Sequence, residues 1–161
     1  MSTGADQAAG TLSGHLTVRP SDRIIAGGER IQTRILIVED DPIDRDILLR
    51  KLARSRFMEA DCICADTLDD ATAKLRAGAF DFVILDFWVK GTSTLPLLDL
   101  ISREYTAVVP ISVTSIDFTD VQGLGLSYGA LGYLHKSDLT VSALDAVLRT
   151  GMAQRDRRAV A

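Results

Sequence analysis

Four places in this chain end a short apolar run on a polar residue able to do chemistry. Glu39 and Asp40 follow Ile35-Leu36-Ile37-Val38, and Asp86 follows Phe82-Val83-Ile84-Leu85. Thr114 follows Val109-Pro110-Ile111-Ser112-Val113, and Lys136 follows Leu131-Gly132-Tyr133-Leu134-His135. If these runs are parallel strands of one sheet, their carboxyl ends share an edge, and three acids, a hydroxyl and an amine converge there. Carboxylates about 4 Å apart repel by roughly 4 kcal/mol at an effective dielectric near 20, so such a crevice calls for a cation. Oxygen ligands without imidazole or thiolate favour Mg2+ or Ca2+ over zinc, and few protein oxygens with room for water favour Mg2+. Asp41 has a sufficient local role as a helix cap before Pro42, so the metal falls to Glu39 and Asp40. The plain alternative, acids merely decorating a helix N-terminus, leaves the matching residues on the other runs unexplained. Asp86 can attack phosphorus and become an acyl phosphate. The cation and the Lys136 ammonium would offset charge on the transferring group, and Thr114 would hydrogen-bond one of its oxygens.

The elements that must position these residues alternate strictly from Arg34 onward. The first strand spans about 34–38 and is continuously apolar from Ile35, as a strand covered on both faces should be. Asp41-Pro42 opens a helix with Ile43, Ile47, Leu48, Leu49, Leu52 and Ala53 as a broad apolar stripe and Asp44, Arg45, Arg50 and Lys51 mostly outside it. A second strand is expected near 60–65. Thr67 then starts a helix that Gly78 ends, with Leu68, Ala71 and Leu75 at helical spacing. The third strand covers about 81–85, and a loop through Lys90-Gly91-Thr92 leads to a helix near 94–104 with Leu97, Leu98, Ile101 and Tyr105 on its buried side. The fourth strand covers about 108–113. The helix after it, 117–128, is weakened by Gly123 and Gly125, each costing about 1 kcal/mol relative to Ala. A fifth strand near 131–135 precedes a last helix opened by Leu139-Thr140, with Val141, Leu144 and Leu148 as its core stripe. Arg149, Arg155, Arg157 and Arg158 suit the C-terminal end of that helix electrostatically. Five strand–helix units predict a doubly wound α/β sheet with helices on both faces and its ligand site outside the strands' carboxyl ends.

Residues 1–33 read as an N-terminal tail, interrupted by glycines and carrying only the Ile24-Ile25 pair as an apolar feature; 34–152 form the domain, and 153–161 a short basic tail. With 161 residues there is room for one domain. The net charge of −4 argues against nucleic acid or an anionic membrane as the main partner. No apolar run approaches the ~20 residues that span a bilayer, and residues 1–14 lack a signal-peptide core, so a cytoplasmic location is expected. Cys62 and Cys64, two apart on a strand, point the same way and read as small apolar side chains rather than a disulfide or a metal site.

Over about residues 33–152 the chain resembles the receiver domain of two-component response regulators. The matching stretches are Ile35-Leu36-Ile37-Val38-Glu39-Asp40-Asp41-Pro42, Phe82-Val83-Ile84-Leu85-Asp86, Val113-Thr114-Ser115 and Gly129-Ala130-Leu131-Gly132-Tyr133-Leu134-His135-Lys136. The resemblance implies a flavodoxin-like strand order 2-1-3-4-5. It makes Asp86 the phosphoacceptor, and gives Mg2+ to Glu39, Asp40, Asp86 and the Trp88 backbone carbonyl. Thr114 becomes the switch hydroxyl, Lys136 the phosphate-binding lysine, and Tyr133 the aromatic that follows Thr114. Three departures stand out: Glu-Asp in place of Asp-Asp, Lys90 in place of a proline, and Ser137 in place of the proline after the lysine. A cis peptide without proline costs about 3–4 kcal/mol, so the Lys136–Ser137 bond is expected to be trans.

The implied function is that of a stand-alone receiver. It accepts a phosphoryl group from a sensor histidine kinase or histidine phosphotransfer protein. It then signals through a protein partner or a homodimer on the face made by the fourth helix, fifth strand and fifth helix. No direct nucleic-acid contact or membrane insertion is expected. A receiver-like interaction module regulated without phosphate is the alternative. A phosphohydrolase acting on outside substrates is disfavoured, because Trp88 stands where those enzymes carry a second acid.

Overall fold

A computed structural model describes residues 30–117 and 119–161, without side chains for 119–121. Of the expected tail at 1–33, residues 1–29 lie outside the described residues. The sheet strands are β1 (Ile31–Val38), β2 (Met58–Ala65), β3 (Phe82–Leu85), β6 (Val109–Thr114) and β7 (Gly132–His135); β4 (Trp88–Val89) and β5 (Thr92–Ser93) form a separate hairpin. The helices are α1 (Pro42–Ala53), α2 (Leu68–Ala77), α3 (Leu95–Glu104), α4 (Thr119–Ser127) and α5 (Val141–Val160). All pairings in the five-stranded sheet are parallel, in the order β2-β1-β3-β6-β7, so the first two strands are transposed as in a flavodoxin-like fold.

Strand periodicity divides the core into two layers. On one face Ile35 and Ile37 of β1, Phe82 and Ile84 of β3, and Val109, Ile111 and Val113 of β6 pack against Leu48 and Leu52 of α1 and Leu144 and Leu148 of α5. On the other, Leu36, Val38, Val83 and Leu85 meet Ala71 and Leu75 of α2 and Leu97, Leu98 and Ile101 of α3. Each fully buried aliphatic side chain contributes roughly 1.5–3 kcal/mol.

Two boundaries and one apolar stripe differ from the sequence reading. β1 starts at Ile31 rather than Arg34, because Ile31, Gln32 and Thr33 pair in register with Met58, Glu59 and Ala60 of a correspondingly longer β2. The domain therefore takes in residues assigned above to the tail. At the other end α5 continues to Val160, so 153–160 is helix rather than tail. Arg155 explains this: it is 6% exposed, donates to the Ala107 carbonyl at 3.1 Å and pairs with Asp156 at 2.7 Å. Gly151 lets the helix lie close, since a Cβ there would meet Val109 Cγ1 at 2.7 Å. Finally, the stripe on α1 is narrower than expected: Leu48 and Leu52 are buried, but Ile43 is 69% and Ile47 41% exposed.

Caps follow the sequence. Asp41 accepts from the Ile43 and Asp44 amides at 2.8 and 3.0 Å. Thr67 caps α2 through Asp70 N, and Thr140 caps α5 through Ala143 N. No helix among the described residues is long and apolar enough to cross a membrane.

Candidate functional site

Side-chain alternation decides which of the strand-end residues meet. Glu39 continues the Ile35-Ile37 face of β1, and Asp86 continues the Phe82-Ile84 face of β3. Both therefore emerge on the side covered by α1 and α5, where Lys136 arrives from the end of β7. Its Nζ donates to Glu39 Oε2 at 2.8 Å, to Asp86 Oδ2 at 2.8 Å and to Asp44 Oδ2 at 2.7 Å. An ammonium has three N–H donors, and all three are used.

The cluster is largely enclosed. Glu39 is 4% exposed and its Oε1 also accepts from Asp41 N at 3.0 Å. Burial raises the Glu39 pKa; the Lys136 ammonium and the Asp41 amide oppose that shift without cancelling it. Burial by itself would lower the Lys136 pKa, but hydrogen bonds to Asp44, Asp86 and Glu39 outweigh it and raise the value. The amine thus stays charged, as a buried cation surrounded by carboxylates should. Asp86 Oδ1 accepts from Phe87 N at 2.6 Å, which fixes the carboxylate while its other oxygen faces Lys136.

The remaining predicted residues line the rim. Asp40, on the opposite parity from Glu39, accepts from Lys90 N at 3.1 Å through Oδ2. Thr114 is fully buried, and its Oγ1 accepts from Ile116 N at 3.4 Å. Neither shares a hydrogen bond with the lysine cluster. Tyr133 donates its hydroxyl to the Ile116 carbonyl at 3.3 Å, tying β7 to the loop after β6. Trp88 is 47% exposed and stands edge-on to Phe87, with ring centres 5.7 Å apart.

The expected loop at 90–92 proves to be the turn of the β4–β5 hairpin. Lys90 and Gly91 both adopt positive φ, 52° and 73°, the geometry of a two-residue turn between paired strands. Val89 pairs with Thr92, and Thr94 N bonds to Phe87 O at 3.0 Å. In such a ladder the intervening Trp88 directs its backbone N–H and carbonyl away from the partner strand. After β7, the Lys136–Ser137 peptide is trans, as expected. In place of a proline, Ser137 donates its N–H to His135 Nδ1 at 3.1 Å and closes a short 3-10 turn.

Two contributors escaped the sequence reading. Asp44 was placed outside the core stripe of α1; three residues beyond the Asp41 cap, it faces the same crevice, and that spacing was the available signal. Thr94 precedes α3 but does not cap it: its buried hydroxyl donates to the Asp86 carbonyl at 2.6 Å instead and pins the loop behind the acid. A Thr at an N-cap position hides that alternative.

The donor set is all oxygen and suits a hard cation, whereas zinc or copper would call for imidazole or thiolate. In this arrangement Lys136 separates Glu39 and Asp86 from one another's charge, and Asp40 is engaged by Lys90. Among the described residues no three acidic, histidine or cysteine side chains are gathered as a ready metal cluster.

A family model described as response regulator receiver domain matches residues 35–148. The transcriptional regulatory protein MalR of Bacillus subtilis (strain 168) is 31% identical over 102 residues, which are 63% of this chain and 43% of that protein. The match thus spans less than half of that relative's length. Among solved structures, the signal receiver domain of the putative response regulator NarL from Mycobacterium tuberculosis superposes with a TM-score of 0.64 at 21% identity, covering 74% of this chain and 96% of that one. A CheY-like receiver domain protein from Methanospirillum hungatei JF-1 gives a TM-score of 0.64 at 21% identity, over 79% of this chain and 98% of its own. At such identities the structural likeness bears on the fold, and the family follows from the match over residues 35–148, which holds all four strand-end features. The chain belongs to the response regulator receiver domain family.

Proposed function

We propose that Asp86 accepts a phosphoryl group from phosphohistidine on a sensor kinase or phosphotransfer protein, and that the phosphorylated chain signals by protein contact. The observation that carries this reading is the Lys136 ammonium 2.8 Å from Asp86 Oδ2, at the carboxyl end of the central strand. An Asp86 oxygen attacks phosphorus, the P–N bond breaks, and the imidazole leaves with the electron pair. Lys136 then offers its charge to the phosphoryl oxygens, and the buried Thr114 hydroxyl supplies a second donor. Glu39, Asp40, Asp86 and the Trp88 carbonyl would hold Mg2+, which when bound neutralises charge on the transferring group. Asp40 would exchange the Lys90 amide for that role, and Glu39 would exchange Lys136.

Tyr133 supports a switch at the same site. Its hydroxyl holds the Ile116 carbonyl, two residues beyond Thr114, so a shift of Thr114 toward a phosphoryl group pulls on the loop that leads into α4. The surface that would respond carries Leu124, Leu126 and Tyr128, each more than 40% exposed. Incubation with acetyl phosphate and Mg2+ should add one phosphoryl group to the wild type and none to Asp86→Asn. A chain that instead engages its partners equally well as wild type and Asp86→Asn would be regulated without phosphate.

A further inference from the structure

Asp44 is the acid that the phosphoacceptor scheme gives no task. Among the described residues its side chain bonds only to Lys136 Nζ, at 2.7 Å, and it is 39% exposed. Because all three donors of that ammonium are engaged, a phosphoryl group on Asp86 must compete with the carboxylates for it. Glu39 has an alternative use, since the cation site needs its oxygen. Asp44 has none, and it sits on α1, whose first turn is fixed by the Asp41 cap.

We propose that Asp44 competes with the phosphoryl group for Lys136 and so weakens the phosphorylated state. The proposal rests on Asp86 being the phosphoacceptor. Asp44 Oδ2 and Asp86 Oδ2 lie 2.7 and 2.8 Å from one nitrogen, so they stand within about 5.5 Å of each other. That is shorter than the Debye length of about 8 Å at physiological salt, so a phosphoryl group placed at Asp86 feels the Asp44 charge. A cavity of about 50 Å³ adjoins Asp44, Asp86 and Lys136, which leaves open space beside the ammonium. Asp44 is a positioning residue here: it acts through Lys136, and its effect is electrostatic.

The test uses beryllofluoride as the phosphoryl probe at saturating Mg2+, read by fluorescence of Trp88, the single tryptophan, two residues from Asp86. Asp44→Asn should bind it about two- to fivefold more tightly than wild type, as befits a partly exposed charge. Asp44→Glu should restore the wild-type affinity. The gain of Asp44→Asn should shrink as salt rises, which a purely structural effect would not do. Equal or weaker binding by Asp44→Asn, or a gain indifferent to salt, overturns the proposal while leaving Asp86 as phosphoacceptor. Wild type that takes up neither beryllofluoride nor an acyl phosphate overturns the phosphoacceptor reading, and this proposal with it.

Discussion

Lys136 balances three carboxylates, of which Glu39 is buried and Asp86 nearly so, and its replacement exposes what each was costing. In Lys136→Met, Glu39 is left without its counter-charge inside the protein, and breaking a buried pair in this way costs about 3 kcal/mol near neutral pH. The pH dependence has a definite sign. The folded Glu39 pKa lies above its ordinary 4.5, so Glu39 favours folding below that value and loses this contribution as pH rises through its folded pKa. Removing the lysine removes an influence that lowers this pKa. The stability gap between Lys136→Met and wild type should therefore be small near pH 4 and widen on going to neutrality, as denaturant titrations at several pH values will measure. A gap independent of pH would mean that Lys136 acts by packing alone. Trp88 makes a second residue-level prediction. Half-exposed and two residues past the acid, a bulky indole turned over the phosphoryl group would hinder water from attacking the acyl phosphate. Trp88→Asn should hydrolyse its acyl phosphate several times faster than wild type; equal or slower loss would remove any shielding role.

At the scale of elements, the β4–β5 hairpin stores strain that can be read out directly. Lys90 holds φ at 52°, where a non-glycine residue pays about 1 kcal/mol or more, whereas Gly91 takes its 73° freely. Lys90→Gly should raise stability by about 1 kcal/mol while keeping its backbone bond to Asp40, and Gly91→Ala should lower stability by a similar amount. Thermal unfolding of the two variants checks both signs, and a shared direction would contradict the turn geometry. Much of this architecture was legible beforehand. The unbroken apolar runs at 35–38 and 82–85 and the mostly apolar run at 109–113 mark strands covered on both faces, and Asp41, Thr67 and Thr140 mark helix starts because their side chains satisfy amides that nothing else would. The illegible parts have physical reasons. Ile31, Gln32 and Thr33 lengthen β1 through backbone pairing with β2, which the polar side chains of the last two do not report. Arg155 reads as a solvated end charge, yet its guanidinium is buried because a carbonyl and Asp156 receive it. In the crevice, residue types named Glu39, Asp86 and Lys136 correctly as neighbours, but helical phase alone placed Asp44 among them.

For the whole molecule, the proposed switch would join the crevice to one side of the domain. Thr114, Ile116 and Tyr133 connect the end of β6 to β7 through the loop that precedes α4, a helix whose two glycines lower its stability. Acetyl phosphate with Mg2+ should change amide hydrogen exchange in 115–117 and in α4, while α1 and α2 keep their protection. The change should be absent in Asp86→Asn; a uniform change over the sheet would speak for altered global stability and against a directed switch. All of this depends on where the phosphoryl group sits. Borohydride reduces an acyl phosphate of aspartate to homoserine, so treating the phosphorylated chain and sequencing its peptides by mass spectrometry locates the modified residue. Homoserine at position 86 and nowhere else is the predicted result. Homoserine at another acid, or none after the chain has taken up phosphoryl groups, would contradict the assignment of Asp86.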